Sequence, residues 1–316
     1  MKLVLKEVGD VANIVADESV VTAGPGEVLV TIEAATVNPS DLKLAEGKYG
    51  YRPRQLPFAI GTEGIGRVTG PADSEWLGKR VLIVPNYEQG TWADVVAVKT
   101  ANLIELPEEG DALQLATVGV NPLTAYLALK QVDLKPGDWV GQNLGNSAVG
   151  RATIQLARHA GLRTLSVVRR PEAAAGLDSD VVLVDGPDLP ERIKSELGGE
   201  QLRLVLDGTG DATTTALASA AELGGTVVTY SSVTGQTPPV GYRDIIYREL
   251  RIAGLWIINW TTTAARAELE SVYGELVRLT VDGVLSTEVA ATYPVAEYAK
   301  ALQHATRGGG KVLFTP

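Results

Sequence analysis

Between Trp139 and Tyr230 the chain repeats one pattern: a short apolar run, a turn, then a segment with helical periodicity. Trp139-Val140-Gly141-Gln142-Asn143, Leu165-Ser166-Val167-Val168, Val181-Val182-Leu183-Val184, Leu204-Val205-Leu206-Asp207 and Gly225 to Tyr230 read as strands. Gly150 to Ala160 and Thr213 to Ala221 read as helices, the first with Ile154, Leu156, Ala157 and Ala160 on its apolar face. Short strands that are apolar throughout bury both faces, and helices on either side of a parallel sheet do that. The fold class is therefore α/β, with a doubly wound parallel sheet. At about 150 residues per domain, 316 residues leave room for a second domain.

The first 115 or so residues differ. Short alternating runs such as Val28-Leu29-Val30-Thr31-Ile32 and Arg80-Val81-Leu82-Ile83-Val84 are punctuated by Gly24-Pro25-Gly26 and Asn38-Pro39-Ser40. Many short strands separated by Gly/Pro turns predict a barrel-like β domain. From about residue 261 a helix, Ala264 to Asp282, precedes strand-like pieces at Thr287 to Ala291 and Lys311 to Thr315.

Composition removes whole classes of chemistry. The chain has no cysteine and two histidines, His159 and His304. Disulfides, thiolate catalysis, cysteine-held zinc and iron–sulfur clusters are out of reach, and so is a histidine-rich metal site. A net charge of −10 argues against a general nucleic-acid binder, which must neutralise phosphates. No run approaches the roughly 18 apolar residues that cross a bilayer, and no secretory signal precedes the first strand. No membrane partner is expected, and the expected location is cytoplasmic.

After the first strand of the sheet comes Asn143-Leu144-Gly145-Asn146-Ser147-Ala148-Val149-Gly150, then a helix. A tight strand-to-helix turn aims backbone N–H groups and the helix dipole at an anion. Small residues let a pyrophosphate approach, and Gly150 allows close helix–strand packing. Ser147 stands where the strict G-x-G-x-x-G pattern has its second glycine. The second strand should end beside the adenine ribose, where an acidic residue would bind the 2′-hydroxyl of NAD. Arg169-Arg170 stand there instead. Two guanidiniums suit a 2′-phosphate, so the expected cofactor is NADPH.

Further residues carry a resemblance. They are Val37-Asn38-Pro39-Ser40-Asp41, Gly47-Lys48-Tyr49-Gly50, Gly61-Thr62-Glu63-Gly64, Gly119 to Tyr126, Glu222 to Tyr230, Gly254-Leu255-Trp256, Trp260 and Lys311. With the glycine loop, they make the chain resemble the medium-chain dehydrogenase/reductase superfamily. Within it the chain is similar to the zinc-free 2-enoyl thioester reductases of mitochondrial type. The resemblance implies a GroES-like β-barrel catalytic domain of residues 1–115 and 261–316 around a Rossmann domain of residues 116–260, and a homodimer built through the Rossmann sheets. Zinc-dependent relatives carry Gly-His-Glu where this chain has Gly61-Thr62-Glu63, so Thr62 removes a metal ligand. Glu63 is expected to be a structural carboxylate and Asp207 a turn former.

The resemblance also implies a reaction. A trans-2-enoyl thioester on coenzyme A or acyl carrier protein would receive hydride at C3 and a proton at C2. Tyr49 matches the family's proton donor, and a phenol, with an ordinary pKa of about 10, is protonated at neutral pH; Tyr51 is a neighbouring competitor. Asn121, Tyr230, Ser231, Ser232, Val233, Leu255, Trp256, Ile257 and Lys311 match cofactor-lining positions, beside Asn146, Ser147, Ala148, Val149, Arg169 and Arg170 of the loop and strand end. Lys48, Arg52 and Arg54, with Arg243 and Arg248, are expected to form a basic rim for the polyanionic carrier. A zinc-free quinone or enone reductase is the alternative within the class. A non-catalytic NADPH-binding sensor or structural protein is the alternative outside it.

Overall fold

The computed structural model describes all 316 residues. They form two compact units, Met1–Val120 with Ile258–Pro316, and Asn121–Ile257.

The second unit is built on a six-stranded sheet. Counted along the chain, its strands are Trp139–Gln142, Arg163–Val168, Val181–Val184, Leu202–Asp207, Ala221–Thr229 and Arg251–Gly254. They lie side by side in the order third, second, first, fourth, fifth, sixth, all parallel. The order reverses between the first and fourth strands, and the carboxyl ends beside that point form the ligand crevice of such sheets. Val140, Leu165, Leu204, Val205 and Val227 are fully buried. The helix Ala148–His159 starts two residues before the expected Gly150, because the Ser147 side chain caps it by accepting from the Gly150 N–H at 3.0 Å. The sixth strand lies beyond the five expected. It is a mostly exposed edge strand, so it carries no buried apolar run to betray it.

The first unit is a mostly antiparallel β structure. Strand Glu27–Val37 is its spine, pairing with Gly64–Gly70, Val95–Lys99 and Lys311–Phe314. Its residues alternate half-buried and buried until Ala35, after which both faces are covered. A three-stranded sheet (Ile14–Asp17, Lys2–Leu5, Phe58–Ala59) accompanies it. One core joins Leu3, Leu5, Ile32, Leu44, Trp92 and Phe314. The C-terminal strand thus closes the sheet begun near the N-terminus, which ties both ends of the chain into one unit.

Candidate functional site

In the nucleotide-type unit, Asn146 to Val149, Arg169, Arg170, Tyr230 to Val233 and Leu255 to Ile257 each follow the carboxyl end of a strand of the sheet. The loop after the first strand is shaped by contact. A Cβ on Gly150 would lie 2.5 Å from the carbonyl oxygens of Leu144 and Gly145, and one on Gly145 would lie 2.7 Å from the Ser166 side chain. Leu144 takes a left-handed conformation at φ 51°, a position that ordinarily favours glycine. Asn146 is exposed, Ser147 and Ala148 are half-buried, and Val149 is buried.

A buried network holds the floor of this crevice. The Asn143 amide donates to Asp207 Oδ1 at 2.8 Å and to Thr209 Oγ1 at 2.6 Å, and its carbonyl accepts from the Gly208 N–H at 2.7 Å. Asp207 Oδ1 accepts further bonds from the N–H groups of Thr209 and Gly210 and from the Thr214 hydroxyl, while Oδ2 accepts from Thr229 Oγ1. Asp207 therefore does more than form a turn. It ties the first, fourth and fifth strands together at the switch point.

Tyr230 ends the fifth strand against Gly208, where an added Cβ would meet its hydroxyl at 2.8 Å. That hydroxyl is buried without a hydrogen-bond partner in the chain. Burial raises it above the usual phenol range, with the nearby Ser147 side chain opposing and Asp207 adding to the rise. Buried polar atoms of this kind are rare and call for a ligand or water. Ser232 is partly committed, its hydroxyl donating to the Gln236 carbonyl at 2.9 Å; Ser231 is half-buried and Val233 exposed. Arg169 and Arg170 follow the second strand, exposed and without an ion pair. A glycine cradle, a capped helix N-terminus, an orphaned phenol and two unpaired guanidiniums fit a dinucleotide. Leu255 bonds through its N–H to the Thr229 carbonyl, Trp256 is exposed, and Ile257 begins a helix, Ile257–Thr263. Asn121 is buried at the start of helix Asn121–Leu129.

The first unit holds a second buried polar cluster. Asn38-Pro39-Ser40-Asp41 opens the helix Pro39–Ala45. Proline suits the first turn, and Asp41 reaches back to accept the Asn38 N–H at 3.0 Å. Its other oxygen accepts from Thr62 Oγ1 at 2.9 Å. Glu63 accepts from Thr36 and Asn38 on one oxygen and from the Val120 N–H, at 2.6 Å, on the other. Lys311 donates to Asn38 Oδ1 at 2.7 Å. All these side chains are buried. Burial pushes the Asp41 carboxyl up to about 7, with Glu63 adding to the rise and Asn38, Thr62 and Lys311 opposing it. Burial lowers Lys311, against the pull of Glu63 and Asp41. Glu63 has the structural role expected of it, but sequence reasoning missed its assembly with Asp41 and Lys311. The helix-opening Asn-Pro-Ser-Asp, which places Asp41 at a capping position, was the further signal.

Tyr49 is half-buried in the turn after that helix, edge-on to Tyr87 at 6.4 Å between ring centres. Lys48 is exposed and paired with Glu46 at 3.1 Å; Arg52 and Arg54 are exposed. Arg248 does not belong to such a rim. It bonds Asp244 at 2.8 Å and the carbonyls of Ala218, Ser219 and Ala221, and so clamps the segment ahead of the sixth strand. His304 is likewise structural, its Nδ1 lying 2.9 Å from the Tyr293 hydroxyl.

Residues 24–108 match the alcohol dehydrogenase GroES-like domain family, and residues 148–272 match the zinc-binding dehydrogenase family. The mitochondrial enoyl-acyl-carrier-protein reductase of Homo sapiens is 32% identical over 313 residues, covering 93% of this chain and 82% of that one. A mycobacterial quinone oxidoreductase has a TM-score of 0.85 at 25% identity, covering 100% of this chain and 99% of that one. A mycobacterial structure complexed with NADPH has a TM-score of 0.84 at 26% identity, with coverage of 100% and 99%.

These are oxidoreductases of the medium-chain dehydrogenase/reductase type, with a GroES-like domain and an NAD(P)-binding Rossmann domain. The chain belongs to this superfamily, in the family of the mitochondrial enoyl-acyl-carrier-protein reductases. The zinc ion in one family's name does not fit the residues here. Thr62 spends its hydroxyl on Asp41, cysteine is absent, and no three His, Asp or Glu side chains gather to hold a metal. No helix is long and apolar enough to cross a membrane.

Proposed function

We propose that the chain reduces the C2=C3 double bond of trans-2-enoyl thioesters with NADPH. The observation that carries this reading is the 32% identity, along 93% of the chain, to an enoyl-acyl-carrier-protein reductase. NADPH, when bound, supplies the hydride that C3 receives. The loop Gly145–Gly150 and the start of helix Ala148–His159 hold the pyrophosphate through backbone N–H groups. Arg169 and Arg170 take the 2′-phosphate, which sets NADPH above NADH. Tyr230 offers its buried hydroxyl to the same ligand. Tyr49 delivers a proton to C2 as the electron pair of the substrate enolate forms the new C–H bond. No metal is required, since conjugation with the thioester already makes C3 electrophilic.

Steady-state turnover of crotonyl-CoA with NADPH tests this. Tyr49→Phe should lower kcat about 100-fold or more while leaving NADPH affinity intact. Failure to oxidise NADPH with any short, medium or long enoyl thioester overturns the proposal. The likeness to a mycobacterial quinone oxidoreductase favours a second reading, quinone or enone reduction. Full activity on a quinone with Tyr49→Phe would support it. NADPH binding without turnover on either substrate class would point to a sensor.

We further infer that two copies pair along the edge strand Arg251–Gly254. That strand has an open side, and Ile252, Ile246, Tyr247 and Tyr242 around it are exposed. A monomeric mass in solution overturns the inference.

A further inference from the structure

Tyr87 belongs to none of the motifs that drew attention to Tyr49, yet the tyrosines converge on it. Its ring stacks on Tyr51 at 3.9 Å and 14°, and meets Tyr49 edge-on at 70°. Tyr51 in turn packs against Phe58 at 6.2 Å. The segment that carries Tyr87 is tied by side-chain bonds to its own backbone. Asn86 is buried, donates to the Val84 carbonyl at 3.0 Å and accepts from the Glu88 N–H at 2.8 Å. This turn fixes the backbone on both sides of Tyr87. Tyr49 sits just past the end of its helix, where the Gly47 and Lys48 N–H groups bond the Leu44 and Lys43 carbonyls, so the direction of its phenol is left to its side-chain neighbours.

The groups facing Tyr87 are the Tyr49 and Tyr51 phenols and the Asp41 carboxyl. Neighbouring Glu88 is turned to Lys99 at 2.8 Å. Burial first, and then the charge and hydrogen bonding of Tyr49, keep the Tyr87 hydroxyl protonated far above the usual phenol range. A hydroxyl that stays protonated is a lasting donor.

We propose that Tyr87 is a positioning residue for Tyr49, its ring fixing the direction of the Tyr49 phenol and its hydroxyl donating to the Tyr49 oxygen as that oxygen gives up its proton. The inference rests on Tyr49 as proton donor. In the step, the Tyr49 O–H bond breaks, C2 gains the proton with the enolate's electron pair, and the phenolate left on Tyr49 later regains a proton from water. A donor aimed at an oxygen that becomes negative stabilises the transition state more than the ground state.

The experiment uses the full chain with crotonyl-CoA and NADPH. Tyr87→Phe keeps the stacked ring and removes the donor. It should lower kcat about 10-fold, as loss of a hydrogen bond to a charged group does, and leave KM within about 2-fold. The alkaline limb of the kcat profile should move to higher pH, because the Tyr49 phenolate loses support. A ring with a merely structural role would not move that limb. Tyr87→Leu removes the ring too and should lower kcat further, with NADPH affinity and melting temperature reporting its integrity. Wild-type kcat and an unshifted limb in Tyr87→Phe, beside an inactive Tyr49→Phe, overturn this inference alone. An active Tyr49→Phe overturns it together with the reading beneath it.

Discussion

The two units each bury a polar network around an aspartate, and the two aspartates are built for opposite ends. Asp207 in the nucleotide unit accepts from two backbone N–H groups, an amide and two hydroxyls. Together these donors lock three strand ends. Asp41 in the other unit accepts one backbone N–H and one hydroxyl, with Glu63 close enough to oppose its charge. Burial outweighs those two bonds, so its proton leaves only near neutrality. The two buried carboxyls differ in the number and kind of donors that meet them.

The largest expected effect tests the ligand end of the nucleotide unit. Replacing Arg169 and Arg170 together by alanine should raise the Kd for NADPH about 100-fold and leave NADH nearly unchanged, by fluorescence titration. An equal loss for both dinucleotides would break the assignment of these guanidiniums to a 2′-phosphate. Next comes Asp207→Asn, which keeps the shape and replaces one accepting oxygen of the network with a donor. It should lower unfolding free energy by about 2 kcal/mol in denaturant titration.

The same substitution at Asp41 should cost less than about 1 kcal/mol at pH 7, because an amide resembles the protonated acid. Its signature is a slope instead. Asp41 titrates at about 7 when folded against 3.8 for a free side chain. The folded state holds the extra proton between those values, so stability falls as pH rises across that window and levels off above it. Asp41→Asn should flatten that decline; an unchanged slope would mean Asp41 is already ionised. The smallest effect concerns the surface. Neutralising Lys48, Arg52 and Arg54 should raise KM for an acyl-carrier or coenzyme A thioester a few-fold at low salt and leave kcat alone. An unaltered KM would remove them from substrate recognition.

Much of the nucleotide unit was legible because its strands announce themselves. Val140, Leu165, Val205 and Val227 belong to runs apolar on both faces, and only a helix-covered parallel sheet accommodates them. The loop was legible too, since the close approach at Gly150 leaves a glycine no alternative. The sixth strand escaped notice because Arg251-Ile252-Ala253-Gly254 sits at an open edge with nothing to bury. The Asp41 cluster escaped for a different reason. Thr62, Glu63 and Lys311 come from distant segments, and the charge state of a buried acid depends on that assembly. Lys311 follows three glycines and matches a cofactor-lining position, but it opens a central strand that carries it inward onto Asn38, a partner no motif foretold. Tyr87 left no trace in any motif, because stacking between loops has no period.

Glu63 offers a warning about signatures. It keeps the acidic end of a Gly-x-Glu triplet that in zinc-dependent relatives follows a histidine, and here that acid has its own mechanical employment. It gathers Thr36, Asn38 and the Val120 N–H, and so fastens the last peptide before the chain leaves for the nucleotide unit. A carboxylate with such anchoring duties has a structural role that needs no ion near it. Metal chemistry inferred from that triplet would mistake a fastening for a reagent.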